Sequence, residues 1–246
     1  MRRRLTGAAV ALALALTGCT GAPAVDPPPA PEIDLSEEDL SAGNGLWYLD
    51  GATALERIVE ATRDAGNWTY SGSLVESVPV EDAPPVPGRR IDFAVTGSDT
   101  AYSASITAAG QQLEIVVADG AGYVRGNEAF AARAGRPELT SGYVCLTADD
   151  PLLAEWADVT EPGALLDALL GATELGVTPP APGATTATLV PGIDGAPIGT
   201  LTVAAEGDPL PGQLVLADTS GSANVTFGGW GSSPAPAAPT ELSAGC

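Results

Sequence analysis

No histidine and no lysine occur among the 246 residues, so all 10 basic residues are arginine. Catalysis by a His base, a His metal ligand and a Schiff-base lysine are thereby excluded. Positive charge is scarce as well: 31 Asp and Glu face those 10 Arg, a net charge of −21. Nucleic-acid binders neutralise phosphates with Arg and Lys, and a chain this acidic is repelled by them. Aromatic residues make up only 5%, so a core must come mostly from small and aliphatic side chains. The hydrophobic fraction of 45% is that of an ordinary globular protein, and the acidity therefore does not signal disorder. Cysteine occurs three times, at Cys19, Cys145 and Cys246.

The first residues set the compartment. Arg2, Arg3 and Arg4 precede an apolar run of 12 residues, Leu5 to Leu16, which fits a signal-peptide core and is too short to span a bilayer. It ends in Leu16-Thr17-Gly18-Cys19, which resembles the lipobox of bacterial lipoproteins. That resemblance implies a signal peptide over 1–18 and a Cys19 joined to diacylglycerol as the new N-terminus, with an acyl chain such as palmitate holding the protein on the extracytoplasmic side of the cell membrane. An ordinary secretory signal with an incidental cysteine is the plainer alternative. Without the head, 31 acids face 7 Arg, a charge of −24. Anionic leaflets repel such a domain, so the lipid must do all the holding, and stable anchoring needs more than one acyl chain.

Residues 19–46 read as a linker. They contain Pro27-Pro28-Pro29-Ala30-Pro31, an acidic Glu37-Glu38-Asp39 and Gly43-Asn44-Gly45, with no apolar period. Residues 47–246 read as one domain whose end, 231–246, is a flexible Pro/Ala tail. Within it, Leu55, Ile58, Val59 and Thr62 share one helical face between Leu49 and Ala65. Thr53 to Glu56 fits a capping box, with Asp50 an earlier alternative cap. Period-two alternation follows through Ile91–Thr96, Tyr102–Thr107 and Leu113–Val117, and Asp119-Gly120 offers a hairpin turn. Asp150-Pro151 opens a helix over Leu152–Val159, and Pro162–Leu170 makes another. One-faced strands resume at Thr185–Val190, Ile198–Ala205, Gln213–Ala217 and Ala223–Trp230. The result is α+β: antiparallel sheet with one apolar face covered by three helices.

The order of these parts, with LERIVEATRDA, NWTYSGSLVES, QLEIVVADGAGYVRGN and LPGQLVLADTSGSANVTFGGWG, resembles the actinobacterial LppX/LprG-type lipoprotein family, which shares the LolA/LolB-like lipoprotein-carrier fold. The resemblance implies a curved antiparallel β-sheet, a half-barrel clasping a few α-helices, and an apolar cavity able to hold acyl chains of a lipid or glycolipid. It carries over no catalytic residue, no metal and no cofactor. The sequence departs from it at Pro79–Gly88, a Pro-rich insertion that is a lid at the cavity mouth or, more simply, a long surface hairpin loop.

Residues expected to face the cavity are Leu55, Ile58, Val59, Leu165 and Leu169 from helices, and Ile91, Phe93, Val95, Ile106, Leu113, Ile115, Val117, Leu201, Val203, Leu214, Leu216 and Phe227 from strands. The same pattern suits a collapsed core, in which case the protein is a surface module that binds another envelope protein. Paired carboxylates such as Asp149-Asp150 are explained by the helix start there, and no nucleophile-elbow or phosphate-loop motif is present. The chain is therefore expected not to be an enzyme. With Cys19 acylated, Cys145 and Cys246 are expected to form a disulfide, which an exported protein can keep; two free or intermolecular thiols are the alternative.

The lipobox reading predicts that Cys19→Ala leaves the membrane fraction when cells of a related host are fractionated. A variant that stays there at wild-type level and mass refutes the anchor.

Overall fold

The computed structural model describes residues 43–147 and 149–244. The signal segment 1–18, Cys19, most of the linker, Ala148 and Cys246 lie outside the described residues. Thirteen strands form one sheet: β1 (Asn67–Val80), β2 (Ala83–Ser98), β3 (Tyr102–Ala108), β4 (Gln111–Ala118), β5 (Ala121–Gly126), β6 (Tyr143–Leu146), β7 (Glu174–Thr178), β8 (Thr186–Ile193), β9 (Ala196–Pro197), β10 (Gly199–Ala204), β11 (Pro211–Ala217), β12 (Ser222–Gly228) and β13 (Leu242–Ala244). Their order is β13-β6-β5-β4-β3-β2-β1-β12-β11-β10-β8-β7, with β9 added on β8. All described pairs are antiparallel except β13 on β6. The helices are α1 (Gly51–Asp64), α2 (Glu128–Ala134), α3 (Pro151–Ala154), α4 (Ala157–Thr160) and α5 (Pro162–Leu170).

Alternation places Trp68 and Tyr70 of β1, Ile91, Phe93 and Val95 of β2, Ile106 of β3, Leu201 and Val203 of β10 and Val225 and Phe227 of β12 on the inner face. These share one core with Leu55 and Ile58 of α1, Phe130 of α2, and Leu165, Leu166 and Leu170 of α5. Twelve strands laid flat at about 4.8 Å spacing would extend roughly 53 Å, far wider than five short helices can cover. Residues from β6 at one end and β8 at the other join one core because the sheet is curved around the helices. This is the α+β clasp expected from the sequence.

Local chemistry explains most boundaries. Asp50, the alternative cap, is the one used: its carboxylate accepts from Thr53 N at 3.1 Å and Thr53 Oγ1 at 2.7 Å. The helix expected over Leu152–Val159 is two four-residue pieces, α3 and α4, broken at Trp156. Asp150 caps α3 by accepting from Leu152 N at 2.9 Å, with Pro151 in the first turn. Helix α2, not anticipated, hangs on Asn127, whose Oδ1 accepts from Phe130 N and Gln112 N while Nδ2 donates to Gly110 O. Close backbone approach requires glycine at two points: a Cβ at Gly72 would lie 2.2 Å from the Asn224 carbonyl, where β1 pairs β12, and one at Gly199 would lie 2.0 Å from the Val215 carbonyl, where β10 pairs β11.

Pro79–Gly88 is a surface hairpin, with β1 and β2 paired as far as Val80 and Ala83. Beyond Val75 and Ile91 they have lost β12 and β3 as neighbours, so the hairpin leaves the sheet as a two-stranded ribbon. Its Val78, Val80 and Val86 are exposed. The tail from 231 is docked rather than loose: Gly231 N donates to Asn67 O, Asn67 Nδ2 donates to Ser233 O, and β13 pairs β6. The cause is a small apolar patch on the outer face, Val116, Ala118 and Tyr123, against which Ala238 packs. At the other end the domain begins before 47, since Asn44 bonds Ala204 and Ala205 and Leu46 is buried.

Candidate functional site

Where the ribbon leaves the sheet, the clasp is open. A cavity of about 430 Å³ lies there, lined by Leu74 and Ile91 at the ribbon base, Trp156 just before α4 and Val159 within it, Leu165, Ala168 and Leu169 of α5, Leu216 of β11, Ala223 of β12, and Ile198 just before β10. That volume is within the roughly 300–1,000 Å³ of small-molecule sites. Its rim is polar, with Glu76, Arg89, Glu155, Asp158, Asp218 and Ser220.

A second cavity, about 520 Å³, opens on the other flank of the same helical segment, lined by Tyr102, Val117, Leu153, Ala157 and Thr160. The stretch Pro151–Thr160 thus stands between two largely apolar hollows. A larger groove of about 580 Å³ between α1, α5 and β7 carries Glu56, Arg63, Asp167 and Glu174, so charge makes it the poorer apolar site.

The partition is fixed from beneath. Tyr70 OH donates to Val159 O at 2.7 Å, and its ring contacts Trp68, Phe93 and Phe227. Burial pushes the Tyr70 phenol well above its usual range, with the Glu161 carboxylate adding to the effect. Glu161 caps α5 by accepting from Gly163 N and Ala164 N. From above, the Arg89 guanidinium lies 5.5 Å from the Trp156 ring centre and binds Glu76 through Nε at 2.9 and 3.0 Å. Trp156 is 2% exposed, and its Nε1–H has no acceptor among the described residues.

Of the residues expected to face a cavity, Ile91, Leu165, Leu169 and Leu216 line the first hollow and Val117 the second. Leu55 and Val59 line the charged groove. Ile58, Phe93, Val95, Ile106, Leu113, Ile115, Leu201, Val203, Leu214 and Phe227 are buried in the shared core. Sequence reasoning missed Trp156, Arg89, Leu74 and Ala168. Cys145 lies in β6, away from these hollows. On the outer face Tyr143 OH donates to Glu114 at 2.8 Å beside Arg125. Burial first, then this bond, pushes the Tyr143 phenol up to about 12.

Among the solved structures similar to this chain, two illustrate the likeness. LprF from Mycobacterium bovis matches at 15% identity over 78% of this chain and 99% of that one, with a TM-score of 0.37. A LolA superfamily protein, NE2245 from Nitrosomonas europaea, matches at 10% identity over 78% and 96%, with a TM-score of 0.31. The fold itself rests on the strand order and core described above. No protein-family model matches the chain, and neither does any curated protein.

Tyr70 sets an alkaline limit. Its folded pKa lies above the unfolded value of about 10, so its contribution is complete below pH ~10 and is lost as pH rises through the folded value. Chemical denaturation at pH 8 to 12 is expected to show stability falling above pH ~10. In Tyr70→Phe that fall is shallower, and at pH 8 the variant is about 1–3 kcal/mol less stable, because the Val159 carbonyl is left without its donor. Equal slopes in both proteins refute the assignment.

Proposed function

We propose that this protein is an exported lipoprotein, anchored to the cell membrane through Cys19, that takes acyl chains of a lipid or glycolipid into its apolar cavity and carries them between membrane and envelope. The observation that supports this most is the hollow at the open end of the clasp, where aliphatic side chains of sheet and helices face each other without filling the space. Affinity would come from burial, at about 0.8 kcal/mol per CH₂. Nothing in the site requires catalysis: the apolar walls hold, and the polar rim faces water.

The exposed valines of the ribbon favour a second reading, a module that binds another envelope protein, since apolar surface rimmed by charge marks interaction sites. Mass spectrometry of organic extracts from purified native protein separates the two. The carrier reading expects stoichiometric lipid, reduced several-fold by Ala168→Trp, which fills the mouth from an exposed position. No lipid and no saturable uptake of a fluorescent acyl probe would leave the partner-binding reading.

We also propose the Cys145–Cys246 disulfide. Support comes from Ala244 pairing beside Val144, which places residue 244 next to the strand carrying Cys145. Closing a loop of about 100 residues is worth up to ~4.7 kcal/mol in the chain-entropy model. Thiol titration of denatured, unreduced protein is expected to find neither group reactive; two reactive thiols refute the bond.

A further inference from the structure

The corner at which the linker enters the domain is aromatic and exposed. Asn44 pins it, donating from its N–H to Ala205 O and from Nδ2 to Ala204 O, both at 2.8 Å. A Cβ on Gly43 would collide with Ala205 O and with the Trp47 ring, so the indole lies over the entering chain. Leu46 is buried and Trp47 packs against the core. Tyr48 and Leu49 instead face water, 52% and 37% exposed. Among the described residues Tyr48 is the most exposed large apolar side chain and the only aromatic one so exposed. Its ring stands 5.6 Å from that of Trp47.

The place of this corner says what covers it. On the anchored-lipoprotein reading, which this inference rests on, Cys19 is held in the bilayer and the domain begins at Gly43, 24 positions later. Such a stretch spans at most about 80 Å, and the corner is the point at which it holds the domain. A tether of that reach gives an effective concentration in the millimolar range. Contact of only millimolar affinity then keeps the domain docked about half the time. Trp and Tyr suit a membrane interface, with the ring body among acyl chains and the polar tip in water. Asp50 and, after Ala205, Glu206 and Asp208 supply no cation for an anionic lipid.

We infer that Trp47, Tyr48 and Leu49 form a foot on which the tethered domain rests, on a bilayer surface of zero net charge. Strand β10 ends at this corner with Ala204, and Ile198, just before its start, lines the first hollow. Six residues at about 3.3 Å each set that mouth some 20 Å from the contact.

The test reconstitutes the full-chain lipidated protein into phosphatidylcholine vesicles and reads hydroxyl-radical labelling residue by residue by mass spectrometry. Cys19→Ala protein, free in solution, is the reference. Labelling of Trp47, Tyr48 and Leu49 is expected to fall about twofold or more on the vesicles. Val78 and Val86 of the ribbon, at the mouth, label as in solution. In the double variant Tyr48→Ser, Leu49→Ser, both exposed changes, Trp47 regains its solution labelling while the protein still floats with the vesicles. Replacing half the lipid by phosphatidylglycerol weakens the protection at low salt, and high salt restores it. Equal protection on both lipids overturns the preference for a neutral surface. An unprotected corner in protein that floats, or protection of the ribbon instead, overturns the foot and leaves the anchor intact. Lipidated protein that does not float overturns the anchor and the foot together.

Discussion

The hydrogen bond from Tyr70 to the Val159 carbonyl joins the two layers of the molecule. Segment Pro151–Thr160 consists of two four-residue helices, too short to be stable alone, and stands between two hollows. Beneath it a clamp is needed, and the protein supplies one by concentrating its few aromatics. Trp68, Tyr70, Phe93, Tyr102, Phe227 and Trp230 form a connected set of ring contacts, half of the 12 aromatic residues in the chain. Around that set the sheet can pack on the helices; away from it, small and aliphatic residues leave space. Scarcity of aromatics and presence of hollows are thus two sides of one composition.

Charge is arranged as deliberately. Of the seven arginines after the basic head, six are paired with a carboxylate: Arg57, Arg89, Arg90, Arg125, Arg133 and Arg136. Such half-exposed pairs contribute about 0–1 kcal/mol each, so their weight in stability is small. Their consequence lies in the field, because positive charge is neutralised where it stands and no basic face forms among the described residues. Arg63 sits in the last turn of α1, where the helix dipole favours a cation. A surface of this kind has no attraction for an anionic leaflet.

Elements with strong local signals were legible in the sequence. Helix α5 begins at Pro162 and ends at Leu170 as expected, and Asp119-Gly120 makes its hairpin with both residues at positive φ. Helix α2 was not legible, because its seven residues depend on Asn127 reaching across to the β3–β4 turn. The short strands β7 and β13 carry too little alternation to stand out. For the site, the limit is physical: a face of Ile, Leu and Val looks the same whether it packs or lines a hollow. Only the mouth residues separate the two, and Trp156, Arg89 and Ala168 come together from segments far apart in sequence.

The ribbon carries the last step. A hairpin that outruns its neighbours exposes backbone edges, which invite pairing with other chains. Here Pro79, Pro84, Pro85 and Pro87 remove four N–H donors, two register shifts lie between Val75 and Val80, and such bulges increase local twist. Glu81 and Asp82 place charge at the tip, with Asp82 taking the left-handed turn position. Strand addition is therefore poorly supported along this ribbon. What it presents is side chains, Val78, Val80 and Val86 beside the cavity mouth, and a surface meeting it must be read through apolar contact rather than through backbone pairing.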